Sequence, residues 1–309
     1  MDGLARLLDG VSRADLARRS AAITDHYRSG RGSHLAVRDR LDALAYAAAR
    51  MPATRAAVGQ ALARLREAAP DFAPATALDL GCGCGAASLA ARDAFALERL
   101  TLIDRNAAML ALARDLLDDD DVDALALDLR RLDAAPKADL VTMAYVLVEM
   151  DEDAASALAV RAFERATGAL ALVEPGTPTG FARIRAARAA LIAAGAHIAA
   201  PCPHALECPI PRPDWRRFSV RVQRSRDHLA VKGADVPYED EPFIYLAVTR
   251  APARPIAGRI LAAPRRAKAG LSFSLCARGG ALIEATVPAR DKAATRIARR
   301  LDEGDVWPQ

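Results

Sequence analysis

The chain has 309 residues, 52% of them hydrophobic and 27% charged, with a formal net charge of +4. That is enough apolar material for one large core or two smaller ones, and it excludes a disordered chain. No apolar run is long enough to span a membrane, so no membrane partner is expected.

The N-terminal segment "MDGLARLLDGVSRADLARR" is amphipathic and of mixed charge. It lacks an apolar h-region, and its aspartates argue against a transit peptide. The expectation is a cytoplasmic, monomeric protein whose five cysteines stay reduced. Residues 1–70 read as helices, with a break expected at Met51-Pro52. From residue 75 the pattern changes. "TALDLG", "RLTLID", "ALALDL", "ADLVTMAYVLVEM" and "GALALVEPG" are short apolar runs separated by amphipathic stretches such as "NAAMLALARDLL". That alternation predicts a parallel sheet with helices on both faces. A helix rich in Ala and Arg follows over 180–195, then a proline- and cysteine-bearing stretch over 200–218. "PFIYLAVTR" reads as a further strand. Beyond it, Gly279-Gly280 marks a turn between two strands, and "DKAATRIARRLDEGD" reads as a last helix. The boundaries expected are a helical region 1–70, an α/β domain 71–200, a cysteine-bearing insertion with the last strands 201–250, and a basic β-rich region 251–309.

Charge is uneven. Residues 1–211 carry 24 Lys and Arg against 28 Asp and Glu, whereas residues 212–309 carry 19 against 11. The last third is therefore a candidate polyanion surface, with Arg265, Arg266 and Lys268 as its candidate RNA contacts. Scattered solvated arginines are the plainer reading of the same count. Trp215 and Phe218 are candidates for stacking on unpaired bases, with core burial the simpler role for both.

"LDLGCGCGAAS" joins a strand to a helix. Gly81, Gly83 and Gly85 allow a tight turn and close approach of a ligand, and the helix after them presents its amides and positive dipole end. Asp104 ends the second strand, where a carboxylate accepts from ribose hydroxyls. A dinucleotide fits these features as well as S-adenosylmethionine does. Asp79 before the first glycine, Asp128 at the expected end of the third strand, and the helices ahead of the sheet favour S-adenosylmethionine. The run resembles motif I of class I S-adenosylmethionine-dependent methyltransferases. Cys82 and Cys84 read as small side chains in that loop. "TMAYVLVEM" lacks the Asn/Asp-Pro-Pro-aromatic tetrad of enzymes that methylate exocyclic base amines. Glu149 is either a site carboxylate or a cap.

"PCPHALECP" allows three readings for Cys202 and Cys208: a nucleophile beside proline, inert buried thiols, or a metal site with Cys276 as third thiolate and His204 as fourth ligand. Its prolines restrict the backbone and leave less conformational freedom to lose on ligation.

Seven stretches occur in order: "LAYAAARMPATRAAV", "LDLGCGCGAAS", "LVEPGTPTGF", "APCPHALECP", "DWRRFSVRVQRSRDH", "KGADVPYEDEPFIYLAV" and "RILAAPRRAKAGLSFSLC". Together they resemble the methyltransferase-like family associated with the mitochondrial small ribosomal subunit, and its bacterial relatives. The resemblance implies a class I methyltransferase (Rossmann-like) α/β fold, small-subunit assembly or ribosomal RNA contact, and a four-cysteine iron–sulfur cluster. Three of those cysteines match as Cys202, Cys208 and Cys276. The fourth, expected directly after Trp215, is Arg216, which cannot ligate iron. A cluster with a substitute ligand, a zinc ion or a lost metal are the outcomes this leaves. Arg216 projecting into the gap would mean a lost cluster and a retained pocket. The reading is a methyltransferase-like protein that binds S-adenosylmethionine and acts on or with small-subunit ribosomal RNA rather than DNA, in a bacterial cytoplasm. The alternative is a non-catalytic assembly factor that keeps the fold.

Overall fold

The computed structural model describes residues 2–28 and 36–307. Three helices open the chain: α1 (Asp2–Leu7), α2 (Arg13–Arg28) and α3 (Arg40–Ala68). The expected break at Met51-Pro52 does not occur, because α3 runs through Pro52 unbroken. A proline there forgoes one helical hydrogen bond and crowds the preceding turn. Burial offsets that cost: Met51, Pro52 and Ala53 are all buried, and the following turns of α3 supply Ala57, Val58, Ala61, Leu62 and Leu65 to the main core. The N-cap is Asp39, which accepts from the Asp42 amide.

The α/β part then alternates: β1 (Thr76–Leu80), α4 (Ala86–Ala94), β2 (Arg99–Asp104), α5 (Ala107–Leu117), β3 (Val122–Ala126), β4 (Ala138–Ala144), α6 (Glu152–Arg165), β5 (Ala166–Pro175), α7 (Pro178–Ala193) and β6 (His197–Ala200). After the cysteine-bearing loop come β7 (Phe218–Gln223), α8 (Arg226–Lys232) and β8 (Tyr238–Thr249). The sheet runs β3-β2-β1-β4-β5-β8-β6, with β7 also paired to β8. β1 to β5 are parallel, and β8 is antiparallel to β5. This is the expected Rossmann-like methyltransferase sheet, closed by one reversed strand. The sheet grows one way from β1 to β3 and the other way from β4 onward. Right-handed crossovers therefore put α4 and α5 on one face and α6 and α7 on the other. With both faces covered, β4 and β5 are buried along nearly their whole length.

One edge of β8 explains the cysteine loop. β6 pairs with Ala247–Thr249, and β7 pairs with Tyr238–Phe243 on that same edge. Residues 201–217 leave the sheet between these two pairings, beside Ile244–Leu246.

The remaining chain forms β9 (Gly258–Ile260), β10 (Arg265–Ala267), β11 (Gly270–Ala277), β12 (Leu282–Pro288) and α9 (Lys292–Ala298). The strands make an antiparallel sheet with its own small core of Ile260, Leu271, Phe273, Leu275 and Ala298. The Gly279-Gly280 turn falls between β11 and β12 as expected.

Candidate functional site

β1 lies between β2 and β4, at the point where strand order reverses. Crevices form at the carboxyl ends of strands at such a point. Here the crevice is a cleft of about 580 Å³, lined by Asp79, the glycine loop, Asp104, Asp128, Tyr145 and Glu149 among others.

The glycine loop is tied down by its own backbone. The amides of Gly81 and Cys82 donate to the Ile103 carbonyl at 2.8 and 3.0 Å, and the Gly85 amide donates to Cys82. Gly81 has φ +70°, and a Cβ there would lie 2.5 Å from Cγ2 of Val146. The protein itself therefore demands glycine at 81. Gly83 is different. Its φ is +52°, but the nearest heavy atom to a Cβ there is Cε of Met109, at 3.8 Å. The space beside Gly83 belongs to the cleft rather than to the core. Gly85 is the left-handed cap of α4.

Asp104 positions this loop. Its Oδ2 accepts from the Gly83 amide and its Oδ1 from the Asn106 amide, each at 2.8 Å. Burial pushes its carboxyl up from the usual range. Each oxygen keeps further lone-pair capacity toward the cleft. Asp79 is 1% exposed and accepts from Ser88 on α4 at 2.5 Å and from Thr142 on β4 at 3.1 Å. Burial raises its pKa to about 6. Asp79 thus joins three elements beneath the cleft. Asp128 departs from its expected position: β3 stops at Ala126, and Asp128 caps a 3-10 turn two residues later. Arg130 donates to it through both backbone and guanidinium, which lowers its pKa to about 2. Cys82 and Cys84 are buried, and burial pushes the Cys84 thiol up to about 12.

Sequence reading missed one wall of the cleft. Tyr27 of α2 and Tyr46, Met51 and Thr54 of α3 line it, with the two tyrosine rings 6.3 Å apart. It also missed the floor near the end of β4. Tyr145 has φ +59°, unusual for a bulky side chain, and such strain clusters at functional sites. Its hydroxyl donates to Glu241 at 2.7 Å, and Arg50 reaches the same carboxylate oxygen at 3.5 Å. Glu174 lies beneath, fully buried, accepting from the Leu147 amide at 2.8 Å. Burial raises its pKa to about 8. A polar Tyr inside the apolar run "TMAYVLVEM" was the available signal.

The second site is the cysteine loop. Cys202, Cys208 and Cys276 line one cavity of about 60 Å³ with His204, Arg188, Arg216 and Arg259. Cys276 Sγ lies 3.3 Å from His204 Nε2. Burial raises the Cys202 thiol and pushes Cys276 up to about 12. Among the described residues, no three His, Cys, Asp or Glu side chains are set to hold a metal ion as they stand. Arg216 lines the same cavity, so the four-thiolate cluster implied by the resemblance does not fit this donor set. Three thiols and one imidazole remain, a set suited to a thiophilic ion.

The basic candidates sit on the small sheet. Arg265, Arg266 and Lys268 are exposed, with Arg265 paired to Glu284 at 3.2 Å. Phe218 is 4% exposed and packs against Phe243 and Tyr245, so it is core and cannot stack on a base. Trp215 is half-buried beneath the Arg217 guanidinium.

A profile of the family described as mitochondrial small ribosomal subunit Rsm22 matches residues 40–308. Over 186 residues the chain is 34% identical to the human ribosome assembly protein METTL17, mitochondrial, a match that covers 54% of this chain and 41% of that protein. The chain thus aligns with less than half the length of that relative. Among solved structures, it resembles the magnesium protoporphyrin IX methyltransferase of Synechocystis PCC 6803 with bound S-adenosylmethionine (18% identity, TM-score 0.43, covering 64% of this chain and 80% of that one). It also resembles the N-methyltransferase NodS of Bradyrhizobium japonicum (15% identity, TM-score 0.39, covering 61% and 91%). Matched from residue 40 to residue 308, the chain belongs to the Rsm22 family.

Proposed function

We propose that the chain binds S-adenosylmethionine in the cleft and methylates, or helps to assemble, small-subunit ribosomal RNA. The observation that carries the first half is the cradle at Gly83. A Cβ at 83 would enter open cleft, and the Gly83 amide is held by Asp104. When bound, S-adenosylmethionine supplies an electrophilic methyl group. The start of α4 offers amides to an anionic group, while the amides of Gly81, Cys82, Gly83 and Gly85 are taken up in holding the loop in shape. Asp104 accepts from ribose hydroxyls with the lone pairs that its backbone partners leave. Asp79 holds α4 and β4 at fixed distance below the loop, and Asp128 stands at the far rim. Membership of the Rsm22 family and the basic last third support the RNA half of the reading.

One observation favours a non-catalytic form of the same role. The hydroxyl nearest the end of β4, that of Tyr145, is committed to Glu241. The tetrad that clamps a flipped base is replaced there by Ala144-Tyr145-Val146-Leu147. Transfer of a labelled methyl group to small-subunit RNA supports the enzyme. Co-sedimentation with small-subunit precursors without transfer supports the assembly factor. Neither result would leave the RNA half without support.

We further propose that Cys202, Cys208, Cys276 and His204 bind a single thiophilic ion of the zinc type. The loop between β6 and β7 and the end of β11 bring these donors to one cavity. Cysteine binds such ions only as the thiolate, so the thiols would lose protons as the ion is gained. Metal analysis of protein purified without oxygen tests this.

A further inference from the structure

Arg188 of α7 is 6% exposed. Its Nη2 donates to the carbonyls of His204 at 2.7 Å and Leu206 at 2.8 Å. Its Nε is buried without a hydrogen-bond partner. Nearby guanidiniums have carboxylates: Arg185 lies 4.0 Å from Glu207, and Arg259 lies 3.4 Å from Glu67. Among the described residues, Arg188 makes no ion pair with any carboxylate. A buried guanidinium stays charged, and a buried charge without a counter-charge is costly. Something negative belongs beside it.

The cavity that Arg188 lines holds the three thiols and His204. Neutral thiols would leave the guanidinium uncompensated. Three thiolates, a neutral imidazole and a divalent ion sum to a single negative charge. One guanidinium cancels that charge, and Arg188 is placed to do so. Arg216 also lines the cavity but is only half-buried and donates to the Trp215 carbonyl, and Arg259 is already paired. We propose that Arg188 is the counter-cation of a metal–thiolate centre built from Cys202, Cys208, Cys276 and His204. This rests on the metal reading above and adds the charge balance that makes the centre tolerable in a buried place. Arg188 acts as a positioning residue: it grips the loop midway between Cys202 and Cys208 and neutralises what the loop binds. The Ala- and Arg-rich helix hid it, because an arginine in such a helix reads as solvated.

The test uses the full chain, prepared metal-free without oxygen and titrated with cobalt(II), whose thiolate charge-transfer absorption reports sulfur ligands. Wild type, Arg188→Met and Arg188→Lys are compared, along with thermal melting of each apoprotein. The expected result is thiolate bands in wild type and affinity about a hundredfold weaker in Arg188→Met, the scale of breaking a buried charge pair. Arg188→Lys retains most of the affinity. The Arg188→Met apoprotein melts only modestly lower than wild type, because the loss of its two donors to the loop carbonyls is partly offset by the loss of an uncompensated charge. Equal cobalt affinity in wild type and Arg188→Met overturns the counter-cation while leaving the centre. A large drop in apoprotein melting together with weak binding in both variants makes Arg188 a loop brace only, and also overturns it. Absence of thiolate bands in wild type removes the centre and the counter-cation together. Should Arg188→Met not fold, Arg188→Gln keeps a donor for the loop carbonyls and carries the same comparison.

Discussion

Cys276 Sγ and His204 Nε2 lie 3.3 Å apart although 72 positions separate them in the chain. The contact joins the small C-terminal sheet to the loop that leaves the edge of β8. It is a point where the large sheet and the small sheet are joined through side chains of metal-binding type.

A second tie across the same junction is Arg259 of β9. It is 1% exposed and donates to the carbonyls of Pro201 and Gly304, each at 2.9 Å. Arg259→Met would leave both acceptors without their donor. A loss on the order of 3 kcal/mol is expected from unsatisfied buried carbonyls and imperfect filling of the site. Urea unfolding measures it, and protease sensitivity after residue 200 should rise in parallel. An unchanged midpoint would show that the two parts are joined without Arg259.

Asp104 is expected to matter before any ligand arrives. Asp104→Ala removes acceptors from the amides of Gly83 and Asn106, so the loop loses its shape as well as a partner for ribose. The cost to ligand binding is about 1.5–3 kcal/mol, the range for a charge-assisted hydrogen bond. Asp104→Asn keeps one acceptor and should fall between. Calorimetric titration of both variants with S-adenosylhomocysteine checks the order.

Glu174 sets a pH dependence. Its ordinary pKa of 4.5 is raised by burial to about 8 in the fold. Between those values the folded chain keeps a proton that the unfolded chain has lost. Stability contributed by this group therefore falls as pH rises through that window. Each unit of the gap is worth about 1.4 kcal/mol. Glu174→Gln stays neutral and should flatten the decline. Denaturant midpoints for both proteins at several pH values between pH 5 and pH 8 test it, and parallel profiles would mean that Glu174 ionises normally.

If the small sheet touches RNA, charge reversal at Arg265, Arg266 and Lys268 should weaken binding to small-subunit RNA. It should also reduce the slope of log affinity against log salt by about two to three, one unit for each lost phosphate contact. Filter binding at several salt concentrations reads both quantities. Equal slopes for wild type and the triple variant would exclude this face.

Much of the α/β part was legible because apolar runs of strand length alternate with amphipathic ones, and that period survives folding. The glycine loop was legible because position 81 leaves no space for a Cβ and position 83 abuts the cleft. Pro52 misled, since a single proline is tolerated where both flanks of the helix are buried. Asp128 misled by two residues, because the end of a strand is set by pairing with β2 rather than by apolar character. The Tyr145–Glu241–Arg50 cluster joins residues from α3, β4 and β8, and no local pattern encodes such a meeting. Convergence of the three cysteines came from the family resemblance; Cys-x5-Cys spacing alone does not specify it.

The central claim is that the cleft beside Gly83 is a binding site for S-adenosylmethionine. The most direct measurement is calorimetric titration of S-adenosylhomocysteine into wild type and Gly83→Val, with melting temperature recorded for both. The account predicts saturable one-site binding by wild type and none by the variant, which should fold but melt lower than wild type, because a β-branched side chain at φ +52° is strained although little but cleft surrounds its Cβ. No heat from wild type at millimolar ligand, or equal binding by both proteins, would contradict it.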